Sequence, residues 1–257
     1  MDYLQLNKQT WDKRVQTHIE SEFYDLNSFK AGKSSLNPIE LEQLGDIKGK
    51  SLLHLQCHFG QDSLSLARLG ARVTGVDLSP KAIEQANLLK RTLNLEAEFI
   101  ESDVLQFGRV NKRQFDIVFT SYGVLCWLAS LDEWAQTIAT SLVTGGEFHL
   151  VEFHPINDLL SGYSYFPNDE PDIEEEATYT ENSDGTKSTV VTWNNPISEV
   201  ISALIAAGLV IESFVEYPYS PYNCFDNLAE VNGKGYQMLH KGNQVPLLYS
   251  IKARKIV

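Results

Sequence analysis

Cysteine is scarce in this sequence. Cys57, Cys126 and Cys224 are the only three, odd in number and far apart, so they match neither a disulfide framework nor a paired-cysteine metal pattern. A reducing, cytoplasmic compartment is the expectation. Basic charge is short too: 21 Lys and Arg stand against 34 Asp and Glu, a formal net charge of −13. The basic residues gather only in pairs such as Lys13-Arg14, Lys90-Arg91 and Lys112-Arg113, whereas a nucleic-acid partner calls for a clustered patch. No stretch approaches the ~18 consecutive apolar residues of a membrane-spanning helix, and Met1 to Trp11 lacks the basic-then-apolar layout of a signal peptide. Internal repeats, low-complexity tracts and Pro/Gly/Ser linkers are also missing, which favours one main domain carrying insertions.

What is present describes a soluble globular protein: 257 residues, 43% hydrophobic and 11% aromatic, enough for a sizeable core. The acidity is local, because Asp158 to Asp184 holds nine Asp or Glu and no Lys or Arg.

From Lys50 the pattern alternates between strands and helices. Ser51 to Gln56 is a short apolar run, followed by a turn at His58-Phe59-Gly60 and a helix from about Gln61 to Leu69 that Gly70 stops. Arg72 to Val76 is the next strand, ending at Asp77; Ser79-Pro80 then supplies a cap and a first-position proline for a helix over Pro80 to Leu93. Ala97 to Glu101 and Phe115 to Thr120 read as the third and fourth strands. Leu131 to Leu142 repeats at helical spacing, and Glu147 to Phe153 is the fifth strand. This βα rhythm predicts a doubly wound, mostly parallel sheet.

After His154-Pro155 the rhythm breaks. Ala177 to Thr180 and Ser188 to Trp193 flank Asn182-Ser-Asp-Gly185 as a hairpin, and the acidic run Asp169 to Glu176 reads as a solvated loop. A helix with Ile197, Val200, Ile201, Leu204 and Ile205 on its buried side, a strand from Leu209 to Val215 and a last strand from Leu247 to Ala253 complete the pattern. The expected organisation is an N-terminal helical arm or lid over residues 1–44 and a Rossmann-like domain over 45–257, with 155–195 inserted as a substrate cap.

In such a sheet, ligands bind beyond the carboxyl ends of the strands. That singles out Gln56 to Asp62, Asp77 to Ser79, Asp103-Val104, Ser121 to Gly123 and His154. A carboxylate closing the second strand, here Asp77, can accept from both hydroxyls of a ribose. The dinucleotide pattern G-x-G-x-x-G is missing, since the first turn reads Gln56-Cys-His-Phe-Gly-Gln-Asp62 with a single glycine. Histidines 18, 149 and 240 have no metal-ligand spacing, and no metal is expected.

Leu53-His-Leu-Gln-Cys-His-Phe-Gly-Gln-Asp62, Gly75-Val-Asp-Leu-Ser79, Ser102-Asp-Val104, Phe115-Asp-Ile-Val118 and Leu142-Val-Thr-Gly-Gly146 together resemble the successive motifs of the class I S-adenosylmethionine-dependent methyltransferases. The resemblance covers about Leu44 to Phe153 and implies the seven-stranded Rossmann-like fold of that family. It also implies a cofactor site for S-adenosylmethionine. Gln56, Cys57, His58 and Gly60 would lie against its methionine and ribose portions, Asp77 with Ser79 beside it would hold the ribose, and Leu78 would pack on adenine. Asp103 and Val104 would meet the adenine edge, Asp62 the amino group, and Ser121 and Tyr122 the methionine part and departing methyl. Trp11, Tyr24 and the Gly32 region would close the site. Where the family has an acidic residue and three glycines, this chain has His54, Gln56, His58 and Gly60.

The implied activity is transfer of a methyl group from the sulfonium to a small-molecule acceptor by in-line displacement, which depends on alignment and water exclusion. If the acceptor needs a base, His154 at the end of the fifth strand is the first candidate and Tyr122 the second; a strand-terminating role is the alternative for His154. Tyr163, Tyr165, Phe166, Trp193, Tyr217, Tyr219 and Tyr222 would wall an acceptor pocket or fasten the insertion to the core. Two other classes stay open: a non-catalytic nucleoside-binding protein, prompted by the missing glycines, and a nicotinamide-dependent oxidoreductase.

Overall fold

The computed structural model describes residues 2–257. Three helices precede the sheet: α1 (Tyr3–Glu20), α2 (Leu26–Lys30) and α3 (Pro38–Leu44). The alternating part follows as β1 (Ser51–Leu55), α4 (Gln61–Arg68), β2 (Arg72–Asp77), α5 (Pro80–Leu93), β3 (Ala97–Glu101), α6 (Val104–Val110), β4 (Phe115–Ser121), α7 (Leu131–Ser141) and β5 (Leu142–Phe153). Then come α8 (Ile156–Leu160), the hairpin strands β6 (Asp172–Glu176) and β7 (Ser188–Thr192), α9 (Ile197–Ala206) and β8 (Leu209–Tyr217). Two short ladders, β9 (Ala229–Val231) with β10 (Gly235–Gln237) and β11 (Leu239–His240) with β12 (Asn243–Gln244), lead to β13 (Leu248–Lys255).

The main sheet has seven strands in the order β3-β2-β1-β4-β5-β13-β8. The first five run parallel, and β13 is antiparallel to both β5 and β8. Strand order therefore reverses between β1 and β4, which opens a crevice at their carboxyl ends.

Both faces of the central strands are covered, so β1, β2 and β4 are largely buried, whereas the outer strands β3 and β8 stay more exposed. The two-residue period sorts them: Leu53, Leu55 and Val118 pack with Trp134, Ile138, Val200 and Leu204 of α7 and α9. Leu52, Ile117 and Phe119 pack with Leu66 of α4 and with Leu44 and Ile47. α1 and α2 add Val15, Leu26 and Phe29 to a third cluster with Phe59, Leu64 and Leu89. No described helix is long and apolar enough to cross a membrane.

The central elements lie where the pattern puts them, and three places differ. First, α6 follows β3 where no helix is expected; Asp103 caps it by accepting from Gln106 N at 2.9 Å. Second, the hairpin's first strand is the acidic segment β6, which ends immediately before Ala177. The expected strand is spent on the N-terminal arm instead: Ala177 O accepts from Arg14, Thr178 Oγ1 pairs with His18, and Tyr179 meets Tyr24. The acidic run is a strand because Glu175 takes a bond from Thr189 opposite it and Glu174 one from Tyr163, while its carboxylates stay exposed and blunt the hairpin's outer edge. Third, β5 starts at Leu142 and passes Gly145 at φ +84° before its regular part.

Candidate functional site

A cavity of about 710 Å³ sits over the carboxyl ends of β1 to β4. Helix α1 and the hairpin form its roof as one unit. The Asn7 amide pairs both ways with Val191 of β7, donating to its carbonyl at 2.8 Å and accepting from its N–H at 2.9 Å, and Thr10 Oγ1 donates to Thr189 O at 2.6 Å.

The floor is the β1–α4 turn. Gln56 (φ +55°), His58 (φ +49°) and Gly60 (φ +80°) all adopt the left-handed conformation, which costs a non-glycine residue ~1–3 kcal/mol. Specific partners hold it. Gln56 Nε2 donates to Val124 O at 2.8 Å, and the His58 N–H donates to Asp77 Oδ2 at 2.7 Å. Gly60 cannot be replaced without strain, since a Cβ there would stand 2.7 Å from the Phe99 ring. Gly75 plays the matching part in β2, where a Cβ would meet the Cys57 sulfur at 2.8 Å.

The His58 side chain leaves the turn and enters the roof. Its Nε2 lies 2.9 Å from His18 Nδ1, and His18 Nε2 lies 2.6 Å from Thr178 Oγ1. The ring also meets Trp11, Tyr24 and Phe59 at centroid distances of 5.3, 5.5 and 4.5 Å. Burial lowers His18 to about 3 and holds His58 well below its usual range, so both are neutral. A neutral pair is what the contact requires, because one ring must donate and the other accept.

Asp77 closes β2 at the cavity wall. Its Oδ2 accepts from His58 N and its Oδ1 from Ser79 N at 2.9 Å, and burial raises it to about 6. Leu78, Asp103 and Val104 also line the cavity. Ser79 does not: its hydroxyl caps α5 by accepting from Ala82 N at 3.1 Å and donates to Asp12 Oδ1 at 2.5 Å, which ties α1 to the sheet.

The opposite wall is built by Asp62, Ser121, Tyr122 and Tyr222. Burial raises Asp62 to about 6 against the Ser35 and Ser121 hydroxyls, which pull it down. Tyr122 has φ +46°, its hydroxyl has no hydrogen-bond partner, and its ring stands edge-on to Tyr222 at 5.0 Å. Behind it Glu40 is fully buried, accepts from Asn37 Nδ2 at 3.2 Å and is raised to about 7 by burial and by Asp62. His54 also lines the cavity, with Nδ1 2.8 Å from Ser63 Oγ, and burial lowers it to about 3.

The cavity thus brings together Trp11, Tyr24, Gln56, Cys57, His58, Gly60, Asp62, Asp77, Leu78, Asp103, Val104, Ser121 and Tyr122. Neither Ser79 nor His154 is among its lining residues. His154 Nε2 is 2.9 Å from Glu216 Oε1, and its Nδ1 accepts from Ile156 N at 3.1 Å. With both ring nitrogens engaged away from the cavity, His154 closes the strand and is not placed as a base. Of the aromatic residues singled out, Tyr222 lines the cavity; Tyr163, Tyr165, Phe166, Trp193, Tyr217 and Tyr219 do not.

Several site residues carry no motif. Arg14, half of the Lys13-Arg14 pair, and Glu40 belong to the arm, and only their packing reveals them. Glu152 had a signal, an acid within the apolar run of β5. It is buried and accepts from the N–H groups of Gly123, Val124 and Leu125, fixing the loop after β4.

A family model described as a methyltransferase domain matches residues 52–146, the segment from β1 into β5. Over that segment the chain is similar to methyltransferase domains. An uncharacterized methyltransferase of Synechocystis is 32% identical over 133 residues, 50% of this chain and 59% of that protein. A ubiquinone biosynthesis O-methyltransferase of Salmonella paratyphi A is 29% identical over 104 residues, 39% of this chain and 43% of that protein. The chain therefore spans about half the length of these curated relatives. In fold, the crystal structure of an S-adenosylmethionine-dependent methyltransferase from Mesorhizobium loti superposes with a TM-score of 0.58 at 18% identity, covering 88% of this chain and all of that one (100%). The family-model match thus falls on the floor of the cavity.

Proposed function

We propose that the cavity binds S-adenosylmethionine and that the chain transfers its methyl group to a small-molecule acceptor. The observation that carries this reading is Asp77: a carboxylate at the carboxyl end of β2, fixed by two backbone N–H groups and facing a cavity at the strand-order reversal. A carboxylate has about four acceptor positions, and two N–H donors leave room for both ribose hydroxyls. Leu78 and Val104 would flank adenine, with Asp103 at its edge. At about 710 Å³ the cavity falls within the ~300–1,000 Å³ of small-molecule sites.

When bound, the cofactor supplies a methyl group already activated on a sulfonium. This chain's residues would supply position and dryness. Asp62, Ser121 and Gln56 would receive the amino-acid end. Residues 1–44 would act as lid and 155–195 as cap, with Trp11 edge-on to Trp127 at 5.2 Å and Tyr24 hydrogen-bonded to Tyr179 at 2.5 Å closing out water. Tyr122, whose hydroxyl neighbours the buried Glu40 carboxyl, would face the acceptor and orient the group that receives the methyl.

Calorimetry tests the reading. Purified protein should bind both S-adenosylmethionine and S-adenosylhomocysteine, and Asp77→Ala should weaken each by more than ~1.5 kcal/mol, the scale of a charged hydrogen bond. A folded protein that binds neither, or an Asp77→Ala variant with unchanged affinity, overturns it. Binding without product across a broad acceptor panel would favour the non-catalytic reading.

A further inference from the structure

Two cationic side chains line the cavity, Lys33 and Arg14. Lys33 is exposed and lies 3.3 Å from Asp25. Arg14 is different: its side chain is only 6% exposed, yet it is barely satisfied. Nη2 makes one long hydrogen bond, to Ala177 O at 3.4 Å, and the Glu176 carboxylate stays 3.7 Å away. The guanidinium lies 5.6 Å from the centre of the Trp11 ring, and Nε is buried with no partner.

A guanidinium carries five N–H donors in a planar fork. Burying that charge costs several kcal/mol unless it is paired and its donors are filled, and the protein fills few of them. Burial pulls Arg14 below its usual value, as expected for a cation short of partners. An ordinary structural arginine would close on Glu176, which stands close by and half exposed. Here the fork is left open on the wall of a cavity otherwise lined by Asp62, Asp77, Asp103 and aromatic rings.

We propose that Arg14 is a carboxylate receptor inside the cavity, completed by a bidentate ion pair with a bound ligand. Two ligands can bring that group: the cofactor, through its amino-acid carboxylate, or an anionic acceptor. Only the first source rests on the cofactor reading above.

Titration calorimetry on the full chain separates the sources. The probes are S-adenosylhomocysteine, 5′-methylthioadenosine, which keeps the nucleoside and thioether but lacks the carboxylate, and benzoate against benzamide with and without bound nucleoside. If the cofactor supplies the carboxylate, wild type binds S-adenosylhomocysteine at least tenfold tighter than 5′-methylthioadenosine. Arg14→Gln then removes that advantage, leaves 5′-methylthioadenosine unchanged, and Arg14→Lys restores part of it. If the acceptor supplies it, Arg14→Gln leaves both nucleosides unchanged, while wild type prefers benzoate over benzamide at least tenfold and the variant does not. The proposal is overturned if Arg14→Gln changes neither preference. It is equally overturned if wild type itself shows neither, a result that needs no folded variant. Failure of both nucleosides to bind wild type strikes the adenosyl reading instead, and the benzoate comparison without nucleoside still decides on Arg14.

Discussion

Asp77 gives the cofactor reading a proton signature. Its ordinary value of 3.8 rises to about 6 in the folded protein, chiefly through burial. Raising the carboxyl from 3.8 to about 6 disfavours its ionised form by ~3 kcal/mol. The sign follows: a carboxylic acid whose folded value is raised contributes stability that is complete below 3.8 and lost as the pH climbs through about 6. Ribose hydroxyls donating to the carboxylate reverse this, since hydrogen bonds to a charged group are worth ~1.5–3 kcal/mol and favour the ionised form alone. Binding should then lower Asp77 by about one to two units. At pH 6 the free protein carries about half a proton there and the complex almost none, so binding releases roughly half a proton at pH 6 and close to none at pH 8. Calorimetry with S-adenosylhomocysteine in two buffers of different ionisation enthalpy reads this directly. Asp62 is also raised to about 6, so Asp77→Asn is the control and should remove most of the release. Equal heats in both buffers at pH 6, or a release that survives Asp77→Asn, refutes the assignment.

Three further outcomes follow from the geometry. Gly60→Ala should destabilise the protein by ~2–4 kcal/mol in a urea titration, combining a left-handed backbone with a methyl 2.7 Å from the Phe99 ring, and Phe99→Leu in the same chain should recover part of it. Glu152→Gln should cost ~2 kcal/mol, because an amide cannot accept from the three N–H groups of Gly123, Val124 and Leu125 as a carboxylate does; amide exchange should quicken at those residues while β1 stays protected. Glu40, raised to about 7, withholds its stability as the pH rises through neutrality, so Glu40→Gln should raise the thermal midpoint at pH 8 and change it little at pH 5, and equal shifts at both would contradict its buried ionisation.

How much of this is written locally varies by element. β1 to β4 and α5 lie within a residue or two of their expected limits because each rests on a local signal: buried apolar runs for β1, β2 and β4, a short alternation of apolar and acidic residues for β3, and the Ser79 cap with Pro80 for α5. α6 has no such signal. It is seven residues long and contains Gly108, whose reason is tertiary, since a Cβ there would fall 2.0 Å from Thr137 Oγ1. His154 misleads for a related reason. Its position at a strand tip is correct, but its partners, Glu216 and Leu247, arrive from β8 and the approach to β13, more than sixty residues away along the chain. The floor of the site is legible because turn chemistry is local; Arg14 and Glu40 become functional candidates only once folding buries them.

The first turn shows what replacing glycines entails. In a glycine-rich turn the backbone adopts positive φ freely and leaves space for the ligand. Here Gln56 and His58 adopt the same backbone sign, so their side chains must go elsewhere. Gln56 is fastened to Val124 in the loop after β4, and His58 is fastened to His18 in the roof, with Thr178 of the insertion as the next partner. The strain of each left-handed residue is offset by a partly buried hydrogen bond that also joins two elements. The floor is thereby bonded to its own lid, which is held again by Asp12 on Ser79 and by Asn7 on Val191. It follows that His58→Gly, which restores a glycine at this position, would relax the backbone and at the same time detach the roof. Its cost should appear as faster amide exchange along α1, not as loss of the turn.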